Sequence, residues 1–223
     1  MQDFSIGFPA VSLFENFPHD KIDFIEIDQD KPLYRSHNSK FSWLFFDESN
    51  EGRFNGYIPD NVPKAIKEHL IEPFGGCYVA GSSIGAISES IFRNIHQVEK
   101  KFIERSLLSS RRMSKIFMPD GVCLKLVDLT SGRTRTQLGL DTQIFSTPDY
   151  DVCFVWAHLF RLKGYDGIKY RGRNLEYECY VLFTNDILEE DFGESLGLLD
   201  SECILCEVQA IAAGLGVFVE NMR

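Results

Sequence analysis

The stretch FGGCYVAGSSIGAISESIFRNI, residues Phe74 to Ile95, decides the fold. Gly75-Gly76 and Gly81-Ser82-Ser83 are turn signals, and the Cys77-Tyr78-Val79-Ala80 run between them suits a short buried strand. Beyond the second turn Ile84, Ile87, Ile91 and Ile95 recur every three or four residues, the spacing of one helical face. Two residues stand apart from this pattern. Tyr78 carries a hydroxyl on an otherwise apolar strand. Glu89 lies away from the isoleucine stripe, where periodicity alone predicts solvent exposure.

Upstream, residues 1–30 read as an irregular lead-in, and KPLYRSHN (31–38) as an extended strand. Gly52 and Gly56 bracket Arg53, Phe54 and Asn55 in a turn-rich element, and VPKAIKEHLI (62–71) suits a short helix with Pro63 in its first turn. Downstream, the charged stretch from Val98 to Lys115 reads as helical at its start and as a solvated surface at its basic end, Arg111, Arg112 and Lys115. VCLKLVDL (122–129) reads as a strand, and Thr130 to Asp141 as a polar connection. Tyr150 to Lys163 is an amphipathic helix stopped by Gly164. Strands follow around Ile168–Tyr170 and Cys179–Phe183. Asn185 to Glu194 reads as a helix or loop, and Leu199 to Val219 as a partly buried helix. Four to six strands among helices of unequal length, without a βαβ rhythm, predict a single α+β domain over residues 1–223.

Composition narrows the function classes. The chain has 223 residues and a formal charge of −10, and 11 of its 33 acids but only one of its 23 Lys and Arg residues lie from Asn174 onward. That acidic end repels a phosphate backbone, so no nucleic-acid partner is expected. No run approaches the roughly 20 apolar residues of a membrane span, and the N-terminus lacks a basic n-region. No membrane association is therefore expected, and the six cysteines suit reduced thiols in a cytoplasmic protein. Cys203 and Cys206 form one CxxC without a second pair or a nearby histidine, so no metal site is expected. The P-loop and GxGxxG fingerprints are missing.

Arg35, Arg53, Tyr78 and Glu89 form a chemically coherent set. Two arginines clamp a diphosphate through charge-assisted contacts. A tyrosine face stacks on a pyridine or purine ring. A carboxylate stabilises an oxocarbenium-like ribose as its glycosidic bond breaks. Nicotinamide leaves from a cationic ring, so its departure needs no protonating acid. The set therefore suits cleavage of the nicotinamide–ribose bond of NAD, with NAD as substrate and no further cofactor required.

The order LYRSHN, GRFN, GGCYVAGSSIGAISESIF, VDL, GYDGIKYRGRN and CYVLF resembles the RES domain family, named for an arginine, a glutamate and a serine, across a core of about residues 31–184. The resemblance implies an ADP-ribosyltransferase-like fold, a mixed, split β-sheet flanked by helices. It also implies a bacterial toxin that degrades NAD or transfers ADP-ribose, with an antitoxin protein as partner. The acidic segment 185–223 is then a candidate antitoxin contact, and homo-oligomerisation stays open. Carried over by position, Arg35 and Glu89 are the family's catalytic arginine and glutamate. Arg53, Tyr78, Tyr34 and Gly172 fall at positions expected to bind NAD. The family serine is replaced by Gly172, and Cys153-Phe154 stands where relatives tend to have a polar pair. These departures point to weakened or altered catalysis, or to a non-catalytic protein that binds a nucleotide or a protein. Ser36, Ser82 or Ser83 could supply a substitute hydroxyl. The geometric expectation is that Arg35, Arg53, Tyr78 and Glu89 converge on one pocket with Gly172 at its edge.

Overall fold

The computed structural model describes residues 7–95, 101–173, 177–184 and 187–220, so the readings that begin at Val98 and Asn185 start outside the described residues. The chain runs α1 (Val11–Glu15), β1 (Phe24–Ile27), β2 (Leu33–Asn38), α2 (Lys64–Lys67), β3 (Gly76–Ala80) and α3 (Ser83–Ile87), which continues into a π turn over Ser88–Phe92. It goes on through β4 (Phe102–Ile103), α4 (Arg105–Ser109), β5 (Arg111–Ile116), β6 (Leu124–Asp128), α5 (Gly132–Leu138) and α6 (Asp151–Leu162). β7 (Gly167–Arg171), β8 (Glu178–Phe183), β9 (Gly193–Leu198), α7 (Glu202–Gly214) and β10 (Phe218–Val219) complete it. Eight strands form one mixed sheet in the order β1-β6-β7-β8-β3-β2-β5-β9, and β10 pairs with β4 apart from it. The α+β class and the split sheet are both present.

The split lies between β3 and β2. β3 pairs with β8 over five residues and β2 with β5 over six, but β2 and β3 share the single register pair Tyr34↔Ala80. The sheet is thus two ladders joined at one point, and α3 packs across the join, touching both β2 and β3.

Strand alternation feeds two cores. Cys77 and Val79 of β3 face a smaller core with Leu33, Trp43, Ile116 and Leu182. Tyr78 and Ala80 face the larger core, which α6 fills with Val152, Val155, Trp156, Leu159 and Phe160. α6 is buried almost throughout, so it has no solvated face of ordinary width. It ends as its sequence predicts. Gly164 takes φ +82°, its N–H donates to the Arg161 carbonyl at 3.0 Å, and the Tyr165 N–H donates to Phe160 at 3.1 Å, closing a Schellman motif.

Four expectations are corrected. The lead-in 1–30 is not wholly irregular, because β1 adds an antiparallel edge strand to β6. The basic end of the charged stretch is β5, held between β2 and β9, with Met113, Ser114 and Ile116 buried. The polar connection contains α5, capped by the Ser131 side chain. Finally, β9 starts at the end of the stretch read as a helix or loop and runs beyond it, while the helix read over Leu199 to Val219 is α7 followed by β10.

Candidate functional site

A cavity of about 790 Å³ opens along the split in the sheet, within the range of small-molecule sites. β2 contributes Arg35, Ser36 and His37 to its wall, β3 contributes Tyr78, and the π turn contributes Glu89.

The local sequence explains how Glu89 is presented. Ser82 caps α3 by accepting the Gly85 N–H at 3.1 Å. Further along, the Ser88 hydroxyl donates to the Ile84 carbonyl at 2.7 Å and that of Ser90 to Ile87 at 3.3 Å. Hydroxyls that compete for helical carbonyls bend a helix, and here the α-helix widens into a π turn where they do so. Ile91 stays in the core while Glu89 faces the cavity. Glu89 is therefore off the isoleucine stripe, as periodicity predicts, yet it is not in open solvent.

The carboxylate sits in a mixed environment. Tyr170 of β7 donates its hydroxyl to Glu89 Oε1 at 3.2 Å. Burial pushes the Glu89 carboxyl above its ordinary value, and this is opposed by the charges of Arg53, Arg93 and Arg173 and by the Tyr170 hydrogen bond. Burial, reinforced by the Glu89 charge, pushes the Tyr170 phenol well above its own ordinary value and keeps it a donor.

The predicted residues have distinct placements. Arg35, Tyr78 and Glu89 line the cavity; Tyr34, Arg53 and Gly172 are not among its lining residues. Arg35 is 7% exposed, and its guanidinium donates to the carbonyls of Trp43 and Phe45 and to Cys77 Sγ, pinning the loop after β2. The Tyr78 hydroxyl donates to Asn55 Oδ1 at 2.9 Å and accepts the Phe54 N–H at 2.8 Å, clamping the Gly-flanked turn onto β3. Arg53 sits within that turn, 1% exposed, and none of its three guanidinium nitrogens has a hydrogen-bond partner among the described residues. It lies close enough to act on Glu89 electrostatically and stands 5.6 Å from the Tyr150 ring centroid. Tyr34 packs half-buried against the larger core. Gly172 donates its N–H to the Tyr177 carbonyl at 3.2 Å in the β7–β8 connection. The serines also separate: the Ser82 hydroxyl is used as a cap, while Ser36 lines the cavity with its Oγ unpartnered among the described residues.

Three residues of the site were not anticipated. Arg93 donates to the Tyr150 hydroxyl at 2.8 Å and the Glu51 carbonyl at 3.0 Å, with its guanidinium 5.5 Å from the Tyr150 ring centroid. Arg173, next to Gly172, donates to Asn94 Oδ1 and the Thr147 carbonyl. Arg93 had a sequence signal, because it follows Glu89 by four residues on one helix, whereas Tyr150 and Arg173 arrive through tertiary structure alone. Three guanidiniums around one carboxylate, with tyrosine rings beside them, form a site that can hold an anion and stabilise a nearby developing cation.

The RES domain family model matches residues 32–195. The chain belongs to the RES domain family. Among solved structures, this RES chain is similar to one from the M. tuberculosis MbcT–MbcA toxin–antitoxin complex, with a TM-score of 0.53 and 15% identity over 83% of this chain and 91% of the other. A search of curated proteins finds no match. Across the RES match, the sheet split and its cavity fall within the family region, while α7 lies beyond it.

Proposed function

We propose that this RES protein is a toxin-type enzyme that consumes NAD by cleaving the nicotinamide–ribose bond. The observation that carries the reading is the half-buried Glu89 carboxylate facing the cavity, hydrogen-bonded to Tyr170 and set among Arg53, Arg93 and Arg173. The arginines suit the diphosphate and the Tyr78 ring suits the nicotinamide. Glu89 suits the ribose: its negative charge stabilises the oxocarbenium-like carbon as the C1′–N bond breaks. The bonding pair goes to the pyridinium nitrogen, so nicotinamide leaves neutral. When water is the acceptor it adds to C1′ and releases one proton to solvent, giving ADP-ribose; a phosphate or a protein side chain in its place gives a transfer product. The origin of the structurally similar chain, a toxin–antitoxin complex, supports an antitoxin as partner.

Incubation with NAD followed by chromatography of the products tests this reading, because one trace gives both turnover and acceptor. Nicotinamide release by the parent protein and its loss in Glu89→Ala are expected; equal turnover by both would overturn the assignment of Glu89.

A second reading, a RES fold that binds a nucleotide or protein without turning NAD over, is favoured by two features. No hydroxyl is available at Gly172, and the Arg35 guanidinium is already committed to Trp43, Phe45 and Cys77. Calorimetry showing NAD binding together with an unchanged NAD peak supports this second reading.

A further inference from the structure

The two ladders bring different chemistry to the cavity. The β7–β8–β3 side and the π turn supply Tyr78, Arg173 and Glu89, the last hydrogen-bonded to the buried Tyr170 of β7. The β2–β5 side supplies Arg35 and Arg111, and the loop that follows β2 supplies Phe41 and Phe45. A dinucleotide also has two dissimilar halves. If the nicotinamide riboside lies at Glu89, the wall provided by β2, β5 and this loop is left for the other half.

Phe41 and Phe45 are 49% and 40% exposed, their ring centroids are 4.6 Å apart, and the planes meet at 14°. Each ring in such a stack keeps an outer face uncovered by the other, and that apolar surface stands at the cavity in water. The loop that carries the rings is well anchored. The Phe41 N–H donates to the Asn38 carbonyl at 3.1 Å, Arg35 holds the carbonyls of Trp43 and Phe45, and Trp43 Nε1 donates to the Glu190 carbonyl at 2.7 Å. Rings on an anchored loop lose little freedom when a flat ligand stacks on them. On the same wall Arg111 opposes Asn38 across β2–β5, and its guanidinium is pushed down from its ordinary value by burial and by the Arg35 charge. An anion between two such cations relieves their repulsion.

We propose that the Phe41–Phe45 stack and Arg111 form the subsite for the adenylate half of the dinucleotide, the base stacking on a phenylalanine face and the phosphate meeting Arg111. This deepens the NAD reading and rests on it. It explains two features the reaction at Glu89 does not use: a pair of exposed aromatic rings and Arg111 on the same wall.

The test is calorimetry of the full chain with AMP, adenosine, nicotinamide mononucleotide and NAD. The proteins are the parent, Phe41→Ala/Phe45→Ala, Phe41→Leu/Phe45→Leu and Arg111→Gln, each first checked for a parent-like melting transition. Replacing the stacked rings is expected to weaken AMP and adenosine by about tenfold or more, while the affinity for nicotinamide mononucleotide stays within twofold. The leucine pair keeps apolar volume and loses the flat face, so it is expected to follow the alanine pair. Arg111→Gln is expected to weaken AMP and spare adenosine. Unaltered AMP affinity in the ring variants overturns the subsite and leaves the NAD reading standing, as does a parent that binds NAD but not AMP. A parent that binds neither AMP nor NAD overturns both.

Discussion

The Tyr170 hydroxyl lies 3.2 Å from Glu89 Oε1 and donates to it, linking the strand β7 to the π turn. The phenol is held protonated by burial, and the carboxyl is pushed upward by burial against the pull of three arginines. The pair therefore joins a fixed donor to a carboxylate that is costly to ionise.

This cost fixes a pH dependence. A glutamate whose folded pKa is raised binds its proton more tightly in the folded state than in the unfolded state. Stability then falls as pH rises from the usual carboxylate range through the raised value. Glu89→Gln is expected to melt no lower than the parent at neutral pH, while NAD turnover drops by about 100-fold or more. In the parent, turnover should rise with pH through the raised Glu89 value. A pH–rate profile beside a thermal melt checks both: a glutamine variant with parental turnover sinks the role given to the carboxylate.

Arg53 supplies a second expectation. Its guanidinium is almost wholly buried without a hydrogen-bond partner among the described residues, which costs stability until an anion or an ionised carboxylate offsets it. Pyrophosphate or ADP-ribose should raise the melting temperature of the parent, by about 2.7 kcal/mol of stability at 100 times Kd. Arg53→Met should stabilise the ligand-free protein and abolish most of that rise. Thermal melts across an anion titration measure it, and an undiminished rise in the variant would count against Arg53 as an anion ligand.

Tyr78 separates ring from hydroxyl. Tyr78→Phe removes the acceptor of the Phe54 N–H and the donor to Asn55, and loosens the turn that holds Arg53. A loss of about 1–3 kcal/mol in denaturant melts is expected. If the ring face is what meets the nicotinamide, KM for NAD measured below the melting transition should change less than in Tyr78→Ala.

How far this site could be read from sequence differs by residue. Cys77–Ala80, Leu124–Asp128 and Cys179–Phe183 were legible because apolar runs bounded by turn residues are a local signal. The end of α6 was legible because glycine alone adopts positive φ cheaply. β5 was hidden by arginines at its start, whose burial depends on flanking strands far away in sequence. β9, GESLGL, holds two glycines and no alternation, and it is a strand because β5 offers it a ladder. Glu89 was placed on the correct face of its helix, but a wheel cannot tell cavity from bulk solvent. Tyr150 and Arg173 carry no local mark at all, since their meaning comes from where α6 begins and where β7 gives way to the β7–β8 connection.

Acid should weaken the fold by a route outside the cavity. His158 is fully buried and its Nε2 lies 3.0 Å from the Gly56 carbonyl; burial pushes its pKa down to about 4 from an ordinary 6.5. A histidine held neutral in the folded state contributes stability that is complete above the unfolded value and is lost as pH falls from 6.5 to about 4. The full loss is about 3 kcal/mol. Denaturant melts across that window should show a slope that His158→Gln flattens; an unaltered slope would assign the acid sensitivity to other groups.

The join at Tyr34 and Ala80 has a mechanical meaning. An eight-stranded sheet is stiff along every ladder with many rungs, so one rung between β3 and β2 concentrates its compliance on a single line. The segment that bridges that line is α3, whose continuation carries Glu89. A change in the gap between the two ladders is thus also a change in where the carboxylate stands, and whatever wedges or draws together the halves acts as a lever on it.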